Sequence, residues 1–260
     1  MPLPKRGRGI FTSQNWSNAV PIPIIKRTAS SKNMPSLILF DFDDTLAITE
    51  RYMAGPFYPR MQEILQPYGV TLSLEELAVK NTELYTHYGS SMHGWMHELG
   101  LTMDDTLRMF SDMAPNIREA VMPHMVPNPG LHAHLAHFQQ QGHTLAILTL
   151  GHRDYCLPLI EKLGIDTFIP PHMVFDISVM EGRVKRHEDT YRHLLKKHLT
   201  AKYEHMFMFE DSMANLLAAK KAGFTTIYIK GKPVPSEVTH AIDYHTADIV
   251  KALDYIAPLV

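Results

Sequence analysis

Short apolar runs alternate along most of the chain with segments in which apolar residues recur every three or four positions. The runs are typical of strands that are buried on both faces, and the segments are typical of helices that pack on a sheet. The predicted strands cover residues 36–40, 144–149, 205–209 and 225–229, and the predicted helices cover 130–141, 155–163, 188–198 and 213–222. This alternation predicts an α/β fold with a doubly wound parallel sheet that carries helices on both faces.

One stretch, residues 51–125, contains no convincing strand but several helical patterns. Ser73 and Glu76 have the spacing of a capping box, and Thr102 is placed to cap the next helix. A helical insertion of this size directly after the first strand predicts a small cap domain at 51–125, with a core formed by 35–50 and 126–260. The alternative is that these helices pack into the main core.

The first 34 residues differ in composition from the rest. They carry six Lys or Arg and no acid, which leaves 19 basic and 27 acidic groups downstream, a formal charge of −8. A body of this charge is not expected to bind a nucleic-acid polymer. We interpret residues 1–34, which contain several Pro, Ser and Asn, as a disordered leader or a targeting segment. A leader upstream of a start at Met34 is an alternative interpretation.

The 260 residues, 45% hydrophobic and 20% charged, have the composition of an ordinary globular protein with one medium domain and a smaller insertion. The single cysteine, Cys156, cannot form an internal disulfide, so a cytoplasmic location is expected. The longest apolar stretches are far shorter than the roughly 20 residues that a membrane helix needs. No membrane partner is therefore expected.

Three carboxylates, on Asp41, Asp43 and Asp44, follow the first predicted strand. Ligands of open α/β sheets bind at the carboxyl ends of the strands. Like charges beside a buried strand normally require a cation. The pattern suits phosphoryl transfer, in which Asp41 attacks phosphorus while Asp43 protonates the leaving oxygen and later activates water. An acidic turn that caps a helix is the alternative.

Two further positions fit the same chemistry. Thr149 ends the second predicted strand, where its hydroxyl and the loop amides could hold phosphoryl oxygens, although it could also be an ordinary strand residue. A lysine is needed to neutralise the phosphoryl group, and the chain offers Lys185, Lys196 and Lys197. Lys185 is preferred because it precedes the helix that begins near Glu188, whereas the other two lie late in that helix.

Glu210 and Asp211 follow the third predicted strand. Paired acids at a buried strand end again require a hard cation, and an all-oxygen site that leaves room for substrate phosphate suits Mg²⁺. Capping of the next helix by Asp211 or Ser212 is compatible with this role. Zinc is disfavoured because the chain has one cysteine and no convincing His pair at ligand spacing.

These motifs follow one another in a recognisable order: an Asp-x-Asp-x-Thr strand end, a strand-end Thr, a Lys and paired acids. In that order the chain resembles the haloacid dehalogenase-like hydrolase superfamily, in its phosphatase branch with a helical C1-type cap. The resemblance covers residues 37–229 and is most specific in DFDDTL at 41–46. It implies a Rossmann-like core, and the layout looks most like the pyrimidine 5'-nucleotidase-like members.

The resemblance also implies roles. Asp41 would be the nucleophile and Asp43 the acid and base, while Thr149 and Lys185 would hold the phosphate. The Mg²⁺ site would be formed by Asp41, Asp43 through its carbonyl, Asp211 and the supporting Glu210.

Two neighbouring positions depart from many relatives. Arg186 follows Lys185 where many relatives have Pro, and Leu150 follows Thr149 where many have Asn or Ser.

The expected function is hydrolysis of a small phosphorylated metabolite, a nucleotide or sugar phosphate, through an aspartyl-phosphate intermediate. An acid at Asp43 disfavours the dehalogenases, which lack one there. A phosphomutase and a catalytically silent binding module are the alternatives. Candidates to contact the leaving group are Tyr52, Phe57, Tyr58, His93 and Trp95. The pattern predicts neither the substrate nor the oligomeric state.

Overall fold

The computed structural model of the protein describes residues 34–260, so all but the last residue of the predicted leader lies outside the described residues. The strands are β1 Leu37–Phe40, β2 Thr144–Leu148, β3 Val174–Phe175, β4 Met206–Glu210, β5 Thr225–Ile229 and β6 Tyr244–Thr246. The α-helices are α1 Glu50–Leu65, α2 Leu74–Tyr88, α3 Ser91–Leu99, α4 Met103–Val121, α5 Pro129–Gln140, α6 Arg153–Lys162, α7 Glu188–Lys197, α8 Met213–Lys221 and α9 Ile249–Ile256.

The six strands form one parallel sheet in the order β3-β2-β1-β4-β5-β6. The chain builds outward from β1 to β3 on one side and then returns to add β4, β5 and β6 on the other. The loops after β1 and β4 therefore diverge, and a crevice forms at the carboxyl ends of these two neighbouring strands. The predicted α/β doubly wound fold is confirmed.

The side chains of β1 show how the sheet is covered. Ile38 and Phe40 belong to the apolar cluster on one face, and Leu37 and Leu39 belong to the cluster on the other, as expected when successive side chains alternate. Helices α5, α6 and α9 contribute buried residues to the first cluster, and α7 and α8 contribute to the second. A strand buried on both faces must be apolar throughout, which explains the continuous run LILF.

Two strands escaped prediction. The strands β3 and β6 contain two and three residues and lie at the two edges of the sheet. Such short segments have no detectable period, and β6 is only partly buried. Their position in the sheet comes from pairing with β2 and β5 rather than from local pattern.

Helices α1–α4 occupy the stretch between β1 and α5, as the sequence predicts. Ser73 accepts from the N–H of Glu76 and Thr102 from that of Asp105, and each pair completes a capping box. Their buried residues join the apolar cluster that also covers one face of the sheet. The division of the chain into cap and core stays a prediction. Among residues 34–260, the structure contains no helix with the length and hydropathy needed to cross a membrane.

Candidate active site

The loop after β1 turns sharply and presents two carboxylates to one crevice. Phe42 is buried, and its carbonyl accepts from the N–H groups of Leu46 and Ala47. Because side chains alternate along an extended chain, Asp41 and Asp43 lie on the side opposite Phe42. Both line a cavity of about 440 Å³ at the carboxyl ends of the strands.

Lys185 lies within this site, as the sequence predicts. Its Nζ is 2.5 Å from Oδ1 of Asp41 and 2.7 Å from Oε2 of Glu210, and the residue is 3% exposed. The lysine comes from the loop before α7, where the carbonyl of Val184 accepts from the Thr190 hydroxyl. The other two candidates, Lys196 and Lys197, are exposed on α7. The single ammonium group therefore bridges two carboxylates from neighbouring strand ends.

Burial and mutual repulsion both raise the pKa values of these carboxyl groups. Burial, and next to it the charge of Asp211, raise the pKa of Asp41, while Lys185 opposes the shift. Burial and the charge of Asp41 likewise raise the pKa of Glu210 well above its ordinary range. The Lys185 pKa is raised despite burial because Asp41 and Glu210 stabilise its charged form.

Asp41, Glu210 and Asp211 form the group best suited to hold a metal ion. One carboxylate oxygen from each lies within 4.8 Å of the others. The donors are all hard oxygens, and Lys185 offsets only part of their negative charge, so the set fits Mg²⁺. The side chain of Asp43 does not belong to this group.

The carboxylate of Asp43 is held by two hydroxyls instead. Tyr155 and Thr49 each donate to its Oδ1 over 2.7 Å. Burial, followed by the charge of Asp41, raises the pKa of Asp43 to about 6, although both hydrogen bonds oppose the shift. Sequence reasoning missed Tyr155 and Thr49, because no local pattern connects Tyr155 with a residue 112 positions away.

Two other strand ends complete the first cavity. Thr149 follows β2, is 1% exposed, and its Oγ1 accepts from the N–H of Gly151 over 3.0 Å. Lys230 follows β5, and its Nζ lies 2.7 Å from Oδ2 of Asp211. Lys230 was not predicted, although its position after a buried strand was a usable signal.

A second cavity, of about 190 Å³, adjoins the first. Of the five predicted leaving-group contacts, Phe57 lines it, whereas the other four line neither cavity. Tyr52 stacks on His124, and Trp95 is buried with its Nε1 donating to Asn81. Tyr52 and Trp95 therefore contribute to the packing among the inserted helices.

Polar contacts join the inserted helices to the loops around the site. The guanidinium of Arg186 donates to the carbonyls of Thr86 and Tyr85 at the end of α2, over 2.7 and 3.0 Å. Ser111 on α4 donates to Oδ2 of Asp154 on α6 over 2.6 Å. Tyr85 lines both cavities, so Arg186 fixes an element of the site wall.

A model of the haloacid dehalogenase-like hydrolase family matches residues 38–229. No curated protein matches the chain by sequence. Solved structures share the fold. A protein provisionally named β-phosphoglucomutase from Thermotoga maritima has 17% identity and a TM-score of 0.57, with 86% of this chain and 100% of that chain covered. The 2-haloacid dehalogenase of Pseudomonas syringae pv. Tomato DC3000 has 17% identity and a TM-score of 0.57, with coverage of 87% and 100%. A provisionally assigned HAD hydrolase, YfnB of Bacillus subtilis, bound to magnesium, has 16% identity and a TM-score of 0.54, with coverage of 86% and 99%.

Proposed function

Since the chain belongs to the haloacid dehalogenase-like hydrolase family, we propose that it is a Mg²⁺-dependent phosphatase that hydrolyses a small phosphate monoester through an aspartyl-phosphate on Asp41. The observation that carries this proposal is the pair Asp41 and Asp43, a buried and a partly buried carboxyl group in one crevice with different partners. Asp41 contacts a cation, whereas Asp43 contacts two neutral hydroxyls. The two environments suit a nucleophile and an acid, respectively.

In the proposed first step, a carboxylate oxygen of Asp41 bonds to phosphorus while the bond from phosphorus to the ester oxygen breaks. Protonated Asp43 gives its proton to that leaving oxygen, which departs as an alcohol. In the second step, Asp43 takes a proton from water as the water oxygen attacks phosphorus. The bond to Asp41 then breaks, and inorganic phosphate is released. Lys185 and Thr149 line the same cavity, which supports a role for both in holding the phosphoryl oxygens.

Asp41, Glu210 and Asp211, with the carbonyl of Asp43, would hold the Mg²⁺. When bound, the ion would neutralise phosphoryl charge that Lys185 cannot neutralise alone.

The environment of Asp43 supports phosphate ester hydrolysis rather than dehalogenation. A halide leaves as a stable anion and needs no proton, whereas an alkoxide needs one. A carboxyl group whose pKa is raised to about 6 carries a proton in a useful fraction of molecules near neutral pH. The hydroxyls of Tyr155 and Thr49 orient that group.

The test is phosphate release from a panel of phosphate monoesters with Mg²⁺ and with a chelator. Asp41→Asn keeps the shape of the side chain but removes the nucleophile, so kcat should fall by at least about 1,000-fold. Asp189→Asn, which neutralises an exposed acid on α7, is the matched control and should leave kcat unchanged.

Phosphate release that persists in a folded Asp41→Asn variant would refute the role of Asp41 as the nucleophile. Release by the wild-type protein that requires a bisphosphorylated activator would identify a mutase instead. Absence of release from every ester, with Mg²⁺ bound, would indicate a binding module.

A further inference from the structure

The second cavity lies where the alcohol part of a substrate must be placed. Asp43, Met53, Tyr85 and Leu150 line both cavities, so the two spaces meet at the proposed general acid. The acid must contact the ester oxygen as the bond to phosphorus breaks. A phosphoryl group bound in the first cavity, beside Asp41 and Lys185, would therefore direct its ester oxygen toward Asp43 and its alcohol toward the second cavity.

The walls of this cavity are mainly apolar. Phe57 from α1 and four residues of α4 form one side: Phe110, Met113, Ala114 and Ile117. Met113, Ala114 and Ile117 are each at most 5% exposed, so this side belongs to the apolar interior. A ligand with apolar surface would replace water there with a net gain in free energy.

Several polar side chains of the same cavity already have hydrogen-bond partners within the protein. Tyr155 donates its hydroxyl to Asp43, and Ser90 Oγ accepts from the N–H of His93 at the start of α3. His152 Nδ1 accepts from the N–H of Asp154. A ligand with many hydroxyls would bury several of them without a full set of partners, which is unfavourable.

Charge excludes another class of ligand. Within the described part of the chain, the residues that line the second cavity include no Lys or Arg, and their one carboxylate is Asp43. A second phosphate or a carboxylate on the alcohol would lie in an apolar space without a cation, beside an acid. This feature disfavours the bisphosphorylated compound that a mutase requires.

Size gives a further limit. An apolar cavity of about 150 Å³ accommodates benzene in a protein interior. The second cavity measures about 190 Å³, enough for one six-membered ring with small substituents. A nucleoside would extend beyond these walls.

We propose that the second cavity selects substrates whose alcohol is compact, uncharged and apolar, such as a single aromatic or alicyclic ring. This inference rests on the proposed phosphatase function and replaces the expectation of a nucleotide or sugar phosphate with aryl and alicyclic monophosphates. The selecting surface is formed by α1 and α4, and Phe110 and Ile117 are among its lining residues.

The experiment compares kcat/KM within two pairs of monoesters. Cyclohexyl phosphate and myo-inositol 1-phosphate share a carbon ring and differ in five hydroxyls. Phenyl phosphate and 4-carboxyphenyl phosphate share an aromatic ring and differ in one charge. In each pair the more polar alcohol is the better leaving group because its substituents withdraw electrons. Preference for the less polar member therefore reports the cavity rather than intrinsic reactivity.

We expect cyclohexyl phosphate to exceed myo-inositol 1-phosphate by about 100-fold or more in kcat/KM, because one added hydroxyl alone can cost about 100-fold in an apolar pocket. Phenyl phosphate should exceed 4-carboxyphenyl phosphate by at least about tenfold, because the carboxylate would be desolvated without a partner. The Phe110→Arg variant places a guanidinium at the cavity. This cation should reduce the preference for phenyl phosphate over 4-carboxyphenyl phosphate at least threefold. Asn116→Arg, on the exposed side of α4, is the control and should leave both ratios unchanged.

The outcomes separate the two proposals. If hydrolysis requires Mg²⁺ and Asp41 but myo-inositol 1-phosphate matches or exceeds cyclohexyl phosphate, the phosphatase stands and the inference about the cavity fails. If the carboxylate-bearing ester is preferred by the wild-type protein, the inference also fails. If none of the four esters is hydrolysed while a nucleotide or sugar phosphate is, the inference alone is overturned. If no ester of any class is hydrolysed, both the proposed function and the inference about the cavity are refuted.

Discussion

Lys185 offsets the repulsion between two neighbouring buried acids, Asp41 and Glu210, by a short ionic contact with each. Removal of its charge in Lys185→Met leaves Asp41 and Glu210 buried without a cation. We expect the metal-free protein to lose about 3–5 kcal/mol of unfolding free energy near neutral pH. Urea unfolding in the presence of a chelator measures this loss. Lys196→Met, which removes an exposed charge on α7, should change stability little.

The loss should depend on pH with a definite sign. Burial raises the pKa values of Asp41 and Glu210 above 3.8 and 4.5, and without Lys185 they rise further. The folded variant then binds more protons than the unfolded chain, so its stability falls as pH rises through the raised values. The difference in unfolding free energy between the variant and the wild-type protein should therefore shrink as the pH is lowered from about 8 to about 5. An equal loss at both pH values would show that packing, rather than charge, dominates.

Substitution of Thr49 tests whether its hydroxyl positions the carboxyl group of Asp43. The Thr49 hydroxyl donates to Asp43 Oδ1, and the residue is fully buried. Thr49→Val removes the donor and leaves the carboxyl less well oriented, so kcat should fall about tenfold with little change in KM. Thr49→Ser keeps the hydroxyl and should retain most of the activity. Steady-state kinetics distinguishes the cases, and equal losses in both variants would assign Thr49 a packing role only.

Sequence reasoning predicted the location of single residues where chemistry and strand ends coincide. Buried strands bring their carboxyl ends to one edge of the sheet, where Glu210 ends a strand and the others follow one: Asp41, Asp43, Thr149 and Asp211. Their placement in one cavity was therefore predictable. The contacts of Lys185 with Asp41 were not, because 144 residues separate them and only the folded loop before α7 sets the distance.

At the level of elements, Arg186 connects a loop of the sheet edge to helix α2. Its guanidinium donates to three carbonyls in the last turn of α2, and its Cζ lies 5.8 Å from the centroid of the Tyr85 ring. Gly89 ends this helix at φ +84°, and a side chain there would collide with Arg186. The end of α2 is therefore shaped to receive the arginine that follows the active-site lysine.

Arg186→Met should loosen the end of α2 without removing any proposed catalytic group. Because Tyr85 lines both cavities, substrate binding should weaken and KM should rise roughly three- to tenfold, equivalent to about 1 kcal/mol. Hydrogen exchange at residues 84–89 should accelerate. Arg192→Met, which removes only an exposed pair with Glu188 on α7, is the control. Unchanged exchange at 84–89 in Arg186→Met would contradict the tether.

Helices and strands differed in how much of them was predictable. The capping boxes at Ser73 and Thr102 are local signals, and the structure contains both. The edge strands β3 and β6 depend on long-range pairing and were missed. Four of the five candidate leaving-group contacts line neither cavity, and an aromatic residue such as Trp95 packs in the interior of the inserted helices. The pattern of apolar residues in the sequence does not show which of them line a cavity and which pack against other helices.

For the whole molecule, the proposed metal site joins distant parts of the chain. Asp41 follows β1, and Glu210 and Asp211 lie at the end of β4, so their carboxylates come together only when the sheet is intact. Mg²⁺ should therefore bind the folded protein and not the unfolded chain. At 100 times its Kd, the ion should add about 2.7 kcal/mol to the free energy of unfolding.

Asp211→Asn weakens the donor set and should abolish this increment, although it also removes the contact of Asp211 with Lys230 and changes the metal-free baseline. The increment must therefore be measured within each variant, as the difference between urea unfolding with Mg²⁺ and with chelator. Asp189→Asn should keep the full increment because Asp189 is exposed and lies outside the site. A wild-type increment that Asp211→Asn retains would place the stabilising ion elsewhere. Loss of the increment only in Asp211→Asn would link metal binding at the sheet edge to the stability of the entire fold.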